Sequence, residues 1–370
     1  MAHAVGQSEA PAASRKSAWW IAAAWILPTV LLSPGLFANR VLFWHDVTRT
    51  MLPFRQLAAK AISEGRLPVW THLSGAGAAP YGEGQAGVFY PPNSLSYVAR
   101  IPPWTDYTLQ LWLHLGIAAT VTFLWLHRSH GLSAPAAYLG SQIFALSGFL
   151  VSHFMHLHIV QIAAWLPALL WLSEALARWE KPLPSFVVAA ALVAALALAG
   201  FPQICYMIVL AALIWAAASA KSRAAAVRAL GALCAASALG LLIAAVQLLP
   251  TAAHLAATGA RAKPTIEFMR RYSLDWRGLL FFLQPEVFGS YHQGDYFGAI
   301  HHYEVCGWVG GVPLLLAPVA LLAGTPGRRR LVIASALLVT GGLFLGLAQY
   351  NPVYHLLVHV PIISKFRAAG

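Results

Sequence analysis

Apolar residues run in long blocks along this chain, near residues 19–37, 107–126, 133–152, 157–176, 185–200, 203–219, 229–250, 305–323 and 331–349. A bilayer core about 30 Å thick takes about 20 apolar residues of helix to cross, so each block predicts one span. The expected fold is all-α, a polytopic transmembrane helical protein of about nine spans. The first block follows Arg15 and Lys16 and exceeds the roughly 7–15 apolar residues of a secretory signal. No A-x-A cleavage site follows it, so it reads as an uncleaved signal anchor. Residues 1–18 are polar and Ala-rich and are expected to be a disordered cytoplasmic N-terminus, with 19–370 a single transmembrane domain.

Composition narrows the picture in the same direction. The 370 residues are 59% hydrophobic and only 10% charged, with mean hydropathy +0.65. A soluble domain carries about 25% charged residues, which it needs to cover its surface. Lipid solvates an apolar exterior instead. The net charge of +12 does not indicate nucleic acid, because the basic residues sit just outside the apolar blocks. Arg15 and Lys16, Arg128, Arg178 and Lys181, Lys221, Arg223 and Arg228, and the run Arg328 to Arg330 follow the positive-inside pattern. They also suit anionic lipid headgroups. The three cysteines, Cys205, Cys234 and Cys306, have no metal-type spacing and form no disulfide framework.

Two polar segments remain, about 38–106 and 251–304, and the charge pattern places both outside the cytoplasm. Nine of the twelve acidic residues lie there: Asp46, Glu64, Glu83, Asp106, Glu267, Asp275, Glu286, Asp295 and Glu304. Carboxylate chemistry therefore belongs to that face. Val47–Ile62 and Leu279–Phe288 are moderately apolar and predict helices lying in the interface plane.

Asp46 is the leading catalytic candidate. It follows Phe43, Trp44 and His45 closely after the first span, at the depth aromatic rings favour. A carboxylate there, partly shielded from water, can act as a general base or hold a divalent cation; an ordinary loop Asp is the plainer alternative. From Gly65 to Asn93 glycines recur too often for a stable helix and let backbone amides approach a ligand. Trp70, Tyr81, Phe89 and Tyr90 in that stretch are placed to stack on a sugar or to sit at the interface. His153, His156 and His158, with His292, His301, His302 and Glu304, form a loose imidazole group. Imidazole and carboxylate suit zinc or manganese, but no zinc spacing is present, and interfacial histidines bonding water and headgroups are the favoured reading. Gly200-Phe201-Pro202-Gln203 breaks a hairpin at the same face and can turn backbone groups toward a cavity.

These pieces together resemble the YfhO family of bacterial membrane proteins, placed in the GT-C superfamily of membrane glycosyltransferases. The likeness lies in Trp44-x-Asp46, Gly65-x-Leu67-Pro68-x-Trp70 and Phe89-Tyr90-Pro91-Pro92. It continues through His158 to Trp165-Leu166-Pro167, Gly200-x-Pro202-Gln203, Gln247-Leu248-Leu249-Pro250, and Tyr303-Glu304 to Gly310-Gly311-Val312-Pro313-Leu314. It covers about residues 40–367. The resemblance implies a GT-C-like architecture whose first external loop supplies an acidic base, here Asp46, often beside a divalent metal. No Asp-x-Asp pair is present, which leaves the metal unknown, and a full-length member would continue into further spans beyond Gly370.

The expected function is transfer of a sugar from a polyprenyl-phosphate-linked donor to an envelope glycan or polymer acceptor at the outer face of the cell inner membrane. The reaction expected is of the inverting type, with no nucleotide site. Asp46 is the expected base, and His45, Trp70, Glu83, Tyr90 and Glu304 the candidate substrate-binding residues, with Arg261, Arg270 and Arg271 for the donor phosphate. The alternative is a transporter, a lipid-handling protein or a non-catalytic envelope-assembly protein. Transporters place charged residues near mid-membrane, and here only Gln142, Gln161, Glu174, Gln203 and Gln247 come into question.

Overall fold

The computed structural model describes residues 11–38, 40, 42, 45–258, 273–290, 293–298, 302–323, 329–353, 356 and 359. Among these the chain is helical, with a single isolated antiparallel bridge, Thr71 to Ala78, and no strand. The helices are α1 (Pro11–Ala24), α2 (Ile26–Phe37), α3 (Leu52–Ser63), α4 (Pro80–Glu83), α5 (Pro91–Val98), α6 (Pro103–Leu124) and α7 (Ala134–Ala145). They continue as α8 (Gly148–Ser152), α9 (Leu157–Ala163), α10 (Leu166–Arg178), α11 (Pro182–Leu198), α12 (Pro202–Ser219), α13 (Arg223–Ile243) and α14 (Ala245–Thr258). Two more apolar helices, Gly311–Ala323 and Arg329–Gly346, follow the second loop.

Proline sets many of the starts. α3, α5, α6, α7, α10, α11 and α12 each carry Pro at their first or second position. There the missing N–H costs nothing and the fixed φ is already helical.

Among the described residues six helices are long and apolar enough to cross a membrane, or seven when the bent pair around Trp25 counts as one, in agreement with the expected polytopic all-α fold. Pro182–Leu198 and Gly311–Ala323 are apolar but shorter. The block 229–250 is redrawn: α13 begins at Arg223, and the chain breaks at Ala244 into α14, which runs on to Thr258. Of the two expected interfacial helices, the first exists as a π-helical turn (Val47–Met51) leading into α3. The second does not, because Trp276–Phe282 is a 3-10 helix followed by turns.

Two large buried clusters stand out among the described residues. One lies among α10 to α13. The other joins α1 and α2 to α6 and the α8–α9 region. There Trp25 packs so closely on Gly116 that a Cβ at Gly116 would stand 2.2 Å from the ring. Trp25 Nε1 donates to Thr120 Oγ1 at 3.0 Å, which holds the bent α1–α2 pair to α6.

The first loop is bound to the bundle by a buried polar network. Arg55 of α3 donates from Nε to Asp106 Oδ2 of α6 at 3.1 Å, and from its NH2 group to Asp106 and to Asn93 Oδ1. Asn93 and Gln161 of α9 bond each other, and Gln110 reaches Asp106, Ser96 and the Pro92 carbonyl. Arg55 is 3% and Asp106 1% exposed, so this pair stands only because every member finds a partner.

Candidate functional site

The docked loop closes one end of the bundle over a cavity of about 630 Å³. Four regions of the chain build its polar wall. The first loop gives Asp46 and Gln85, the α8–α9 turn His153, His156 and His158, the α11–α12 turn Phe201 and Gln203, and the second loop Glu304. Leu338, Val339 and Leu343 of Arg329–Gly346 make an apolar wall beside them. Backbone bonds seat the second loop: Gly148 N–H donates to Trp308 O at 2.6 Å and Leu274 N–H to Gly346 O at 2.8 Å. Glycine seats the first. Gly200 has φ +95°, and a Cβ there would stand 2.2 Å from the Gly84 carbonyl oxygen.

Asp46 is held by two imidazoles. Its Oδ1 bonds His45 Nδ1 at 2.8 Å and its Oδ2 bonds His156 Nε2 at 3.1 Å. Burial pushes this carboxyl up, but the two imidazole hydrogen bonds and their charge outweigh burial and hold it below the ordinary carboxylate value. Asp46 is therefore ionised at neutral pH and accepts only. His45 is fixed in turn by Arg49, whose guanidinium lies 3.1 Å from His45 Nε2.

The structure brings together Asp46, His45 and Glu304 of the residues expected from sequence, with Glu83 just behind. Glu83 Oε1 accepts from Gln85 Nε2 at 2.6 Å, and Gln85 lines the cavity. Trp70 stands apart, 55% exposed, packed over Gly77. Tyr90 is 1% exposed, its hydroxyl bonded to His114 Nε2 at 2.7 Å and to Trp165 Nε1 at 3.0 Å. It supports the loop from inside and does not line the cavity. Arg261, Arg270 and Arg271 lie outside the described residues, as do His292 and His301. His302 bonds the Pro285 carbonyl at 2.8 Å. Among the described residues no three His, Cys, Asp or Glu converge to hold a metal ion.

Sequence reasoning did not find the partnership of Asp46 with His156, 110 positions away. Both residues stood out separately; nothing in spacing could pair them. Gln85, Phe149 and the Leu338–Leu343 wall were also missed, because amides and apolar residues carry no signal until the fold turns them inward.

A helical bundle, polytopic in the membrane and closed at one end by two loops over a polar cavity, is the class these features define. The chain belongs to the family of bacterial membrane protein YfhO, whose family model matches residues 24–357. No curated protein and no solved structure matches it.

Proposed function

We propose that this membrane protein transfers a sugar from a polyprenyl-phosphate donor to a cell-envelope acceptor, at the outer face of the bacterial inner membrane. The observation that carries this reading is Asp46, an ionised carboxylate in a cavity with imidazole and amide groups on one side and a lipid-type wall on the other. Such a cavity suits a molecule with a polar head and an apolar tail. Leu338, Val339 and Leu343 belong to a helix whose span is only 6% buried, so the tail can stay in lipid while the head reaches Asp46. The acceptor hydroxyl loses its proton as its oxygen attacks the anomeric carbon, and polyprenyl phosphate leaves with the bonding electrons. Asp46 supplies the negative charge on which that proton transfer depends.

The lining residues described include no Lys or Arg. That feature favours a second reading, a lipid-handling protein that binds without chemistry. Asp46→Asn separates the two, since it keeps the shape and removes the charge. A transferase loses about 10²–10⁴-fold in rate, the usual worth of a positioned base, with expression and membrane insertion unchanged. Release of polyprenyl phosphate from a polyprenyl-phosphate-linked hexose, measured on the protein in lipid vesicles, reads this out. A near wild-type rate in the Asn variant would remove Asp46 from the chemistry.

A further inference from the structure

An ionised carboxylate can only accept hydrogen bonds. The nitrogen of His156 that faces Asp46 Oδ2 at 3.1 Å, Nε2, must therefore carry a hydrogen. A neutral imidazole with Nε2–H has a bare Nδ1, which is an acceptor and a base. In this protein that Nδ1 is buried and has no hydrogen-bond partner among the described residues. A buried polar atom left unpaired costs about 1–3 kcal/mol, so this nitrogen is open to a donor that the described residues do not supply. A hydroxyl is such a donor.

We infer that His156 is the catalytic base of this site and that Asp46 is its positioning residue. The inference takes its substrate from the sugar-transfer reading, while its geometry stands independently. In the step, His156 Nδ1 takes the proton of the acceptor hydroxyl, the oxygen bonds to the anomeric carbon, and the sugar–phosphate C–O bond breaks. The electron pair leaves on polyprenyl phosphate, and the imidazolium is neutralised by Asp46 until it returns the proton to water. Asp46 thus fixes the tautomer and stabilises the charged ring, the division of labour known from carboxylate–imidazole pairs in acyl transfer. The ring is ready for this at neutral pH. Burial depresses its basicity, Asp46 partly restores it, and the net value stays below that of ordinary histidine.

Other groups surround the ring. His153 Nδ1 is engaged with the Phe149 carbonyl at 2.8 Å. Tyr303 packs edge-on at 5.3 Å, and His158 stands at 6.1 Å with its own Nδ1 buried and unpartnered among the described residues. His45 reaches His156 only through Asp46, and Glu304 lines the same cavity. Nδ1 is buried, so a neighbouring ring must shift for a hydroxyl to reach it.

The test uses the full chain in lipid vesicles with polyprenyl-phosphate-linked glucose, mannose and galactose as probes. His156→Gln keeps an N–H for Asp46 and removes the base, so release of polyprenyl phosphate is expected to fall about 10²–10⁴-fold. The double variant with Asp46→Asn should be no worse than His156→Gln alone, since the two act as one unit. Wild-type activity should rise with pH through an imidazole titration lying below the usual value of about 6.5. Retention of activity within about tenfold in His156→Gln, with Asp46→Asn still inactive, would make Asp46 itself the base and overturn the inference. A second measurement needs no substrate: the ¹⁵N shifts of His156 in labelled protein, assigned by their loss in His156→Gln. A protonated Nε2 and bare Nδ1 at neutral pH support the pair, and a protonated Nδ1 overturns it. If wild-type protein is inactive on all three probes while that tautomer is found, the sugar-transfer reading fails and the Asp46–His156 pair stands.

Discussion

Gly200 shows how much of the site rests on single backbone positions. At φ +95° any other residue pays about 1–2 kcal/mol for left-handed backbone. A Cβ would also stand 2.2 Å from the Gly84 carbonyl, a backbone atom that cannot swing aside. Gly200→Ala should therefore push the first loop off the α11–α12 turn that carries Phe201 and Gln203. Gly75, at φ +55° with nothing within 4 Å of its would-be Cβ, is the matched control that bears only the backbone strain. Thermal unfolding of the two alanine variants in the same detergent should show Gly200→Ala clearly the more destabilised, and equal losses would mean the loop is not seated there. Sequence alone marks Gly200 as a hairpin breaker but cannot show that it faces Gly84. The same limit applies to Tyr90: an aromatic in a Gly-rich loop looks available for a ligand, and only its bonds to His114 and Trp165 show that it is used internally.

At the scale of elements, the joint between α3 and α6 carries the first loop. Arg55→Met would leave the Asp106 carboxylate buried with Gln110 but without its cation, a change that typically costs about 3–5 kcal/mol. Adding Asp106→Leu removes the orphaned charge, and apolar replacement of a whole buried pair is often neutral. The yield of folded protein on size-exclusion chromatography should fall in Arg55→Met and recover at least partly in the double variant. No recovery would mean that the Asn93 and Gln110 bonds, not the charge pair, hold the joint. The helix itself was legible, since Val47–Ile62 is apolar enough to be noticed. Its depth was not: an interfacial helix and a docked one share a pattern, yet Val47, Arg55, Ala58 and Ala61 are all buried. Leu279–Phe288 fails as a helix for a related reason, because hydrophobicity without caps or clear period does not separate a 3-10 turn from an α-helix. The break at Ala244 is likewise invisible within a continuous apolar block.

For the molecule as a whole, the two short apolar helices decide the topology. α11 has 17 residues, about 26 Å of helix against a core of about 30 Å. Its first end lies beside Trp179, whose ring stacks under Arg228, and neither residue lines the cavity. Its last end leads into Gly200, pressed on Gly84 at the cavity. Gly311–Ala323 follows Trp308, bonded to Gly148 at the cavity end, and precedes Arg330, whose guanidinium donates to the Ala220 carbonyl beside Lys221. We therefore take both short helices as crossings, which places Arg128, Arg178, Lys181, Lys221 and Arg330 at one end and Asp46 and Glu304 at the other. The positive-inside rule then predicts that the basic end is cytoplasmic. In a background without Cys205, Cys234 and Cys306, Ser74→Cys and Gln293→Cys should be labelled by a membrane-impermeant thiol reagent in intact cells. Glu180→Cys and Arg329→Cys, equally exposed in the fold, should be labelled only after the cells are opened. Labelling of Ser74→Cys but not of Gln293→Cys in intact cells would put an odd number of errors between the two loops, with α11 as the first suspect. Labelling of Arg329→Cys from outside would invert the chain and move Asp46 and His156 to the cytoplasmic side, away from any envelope acceptor.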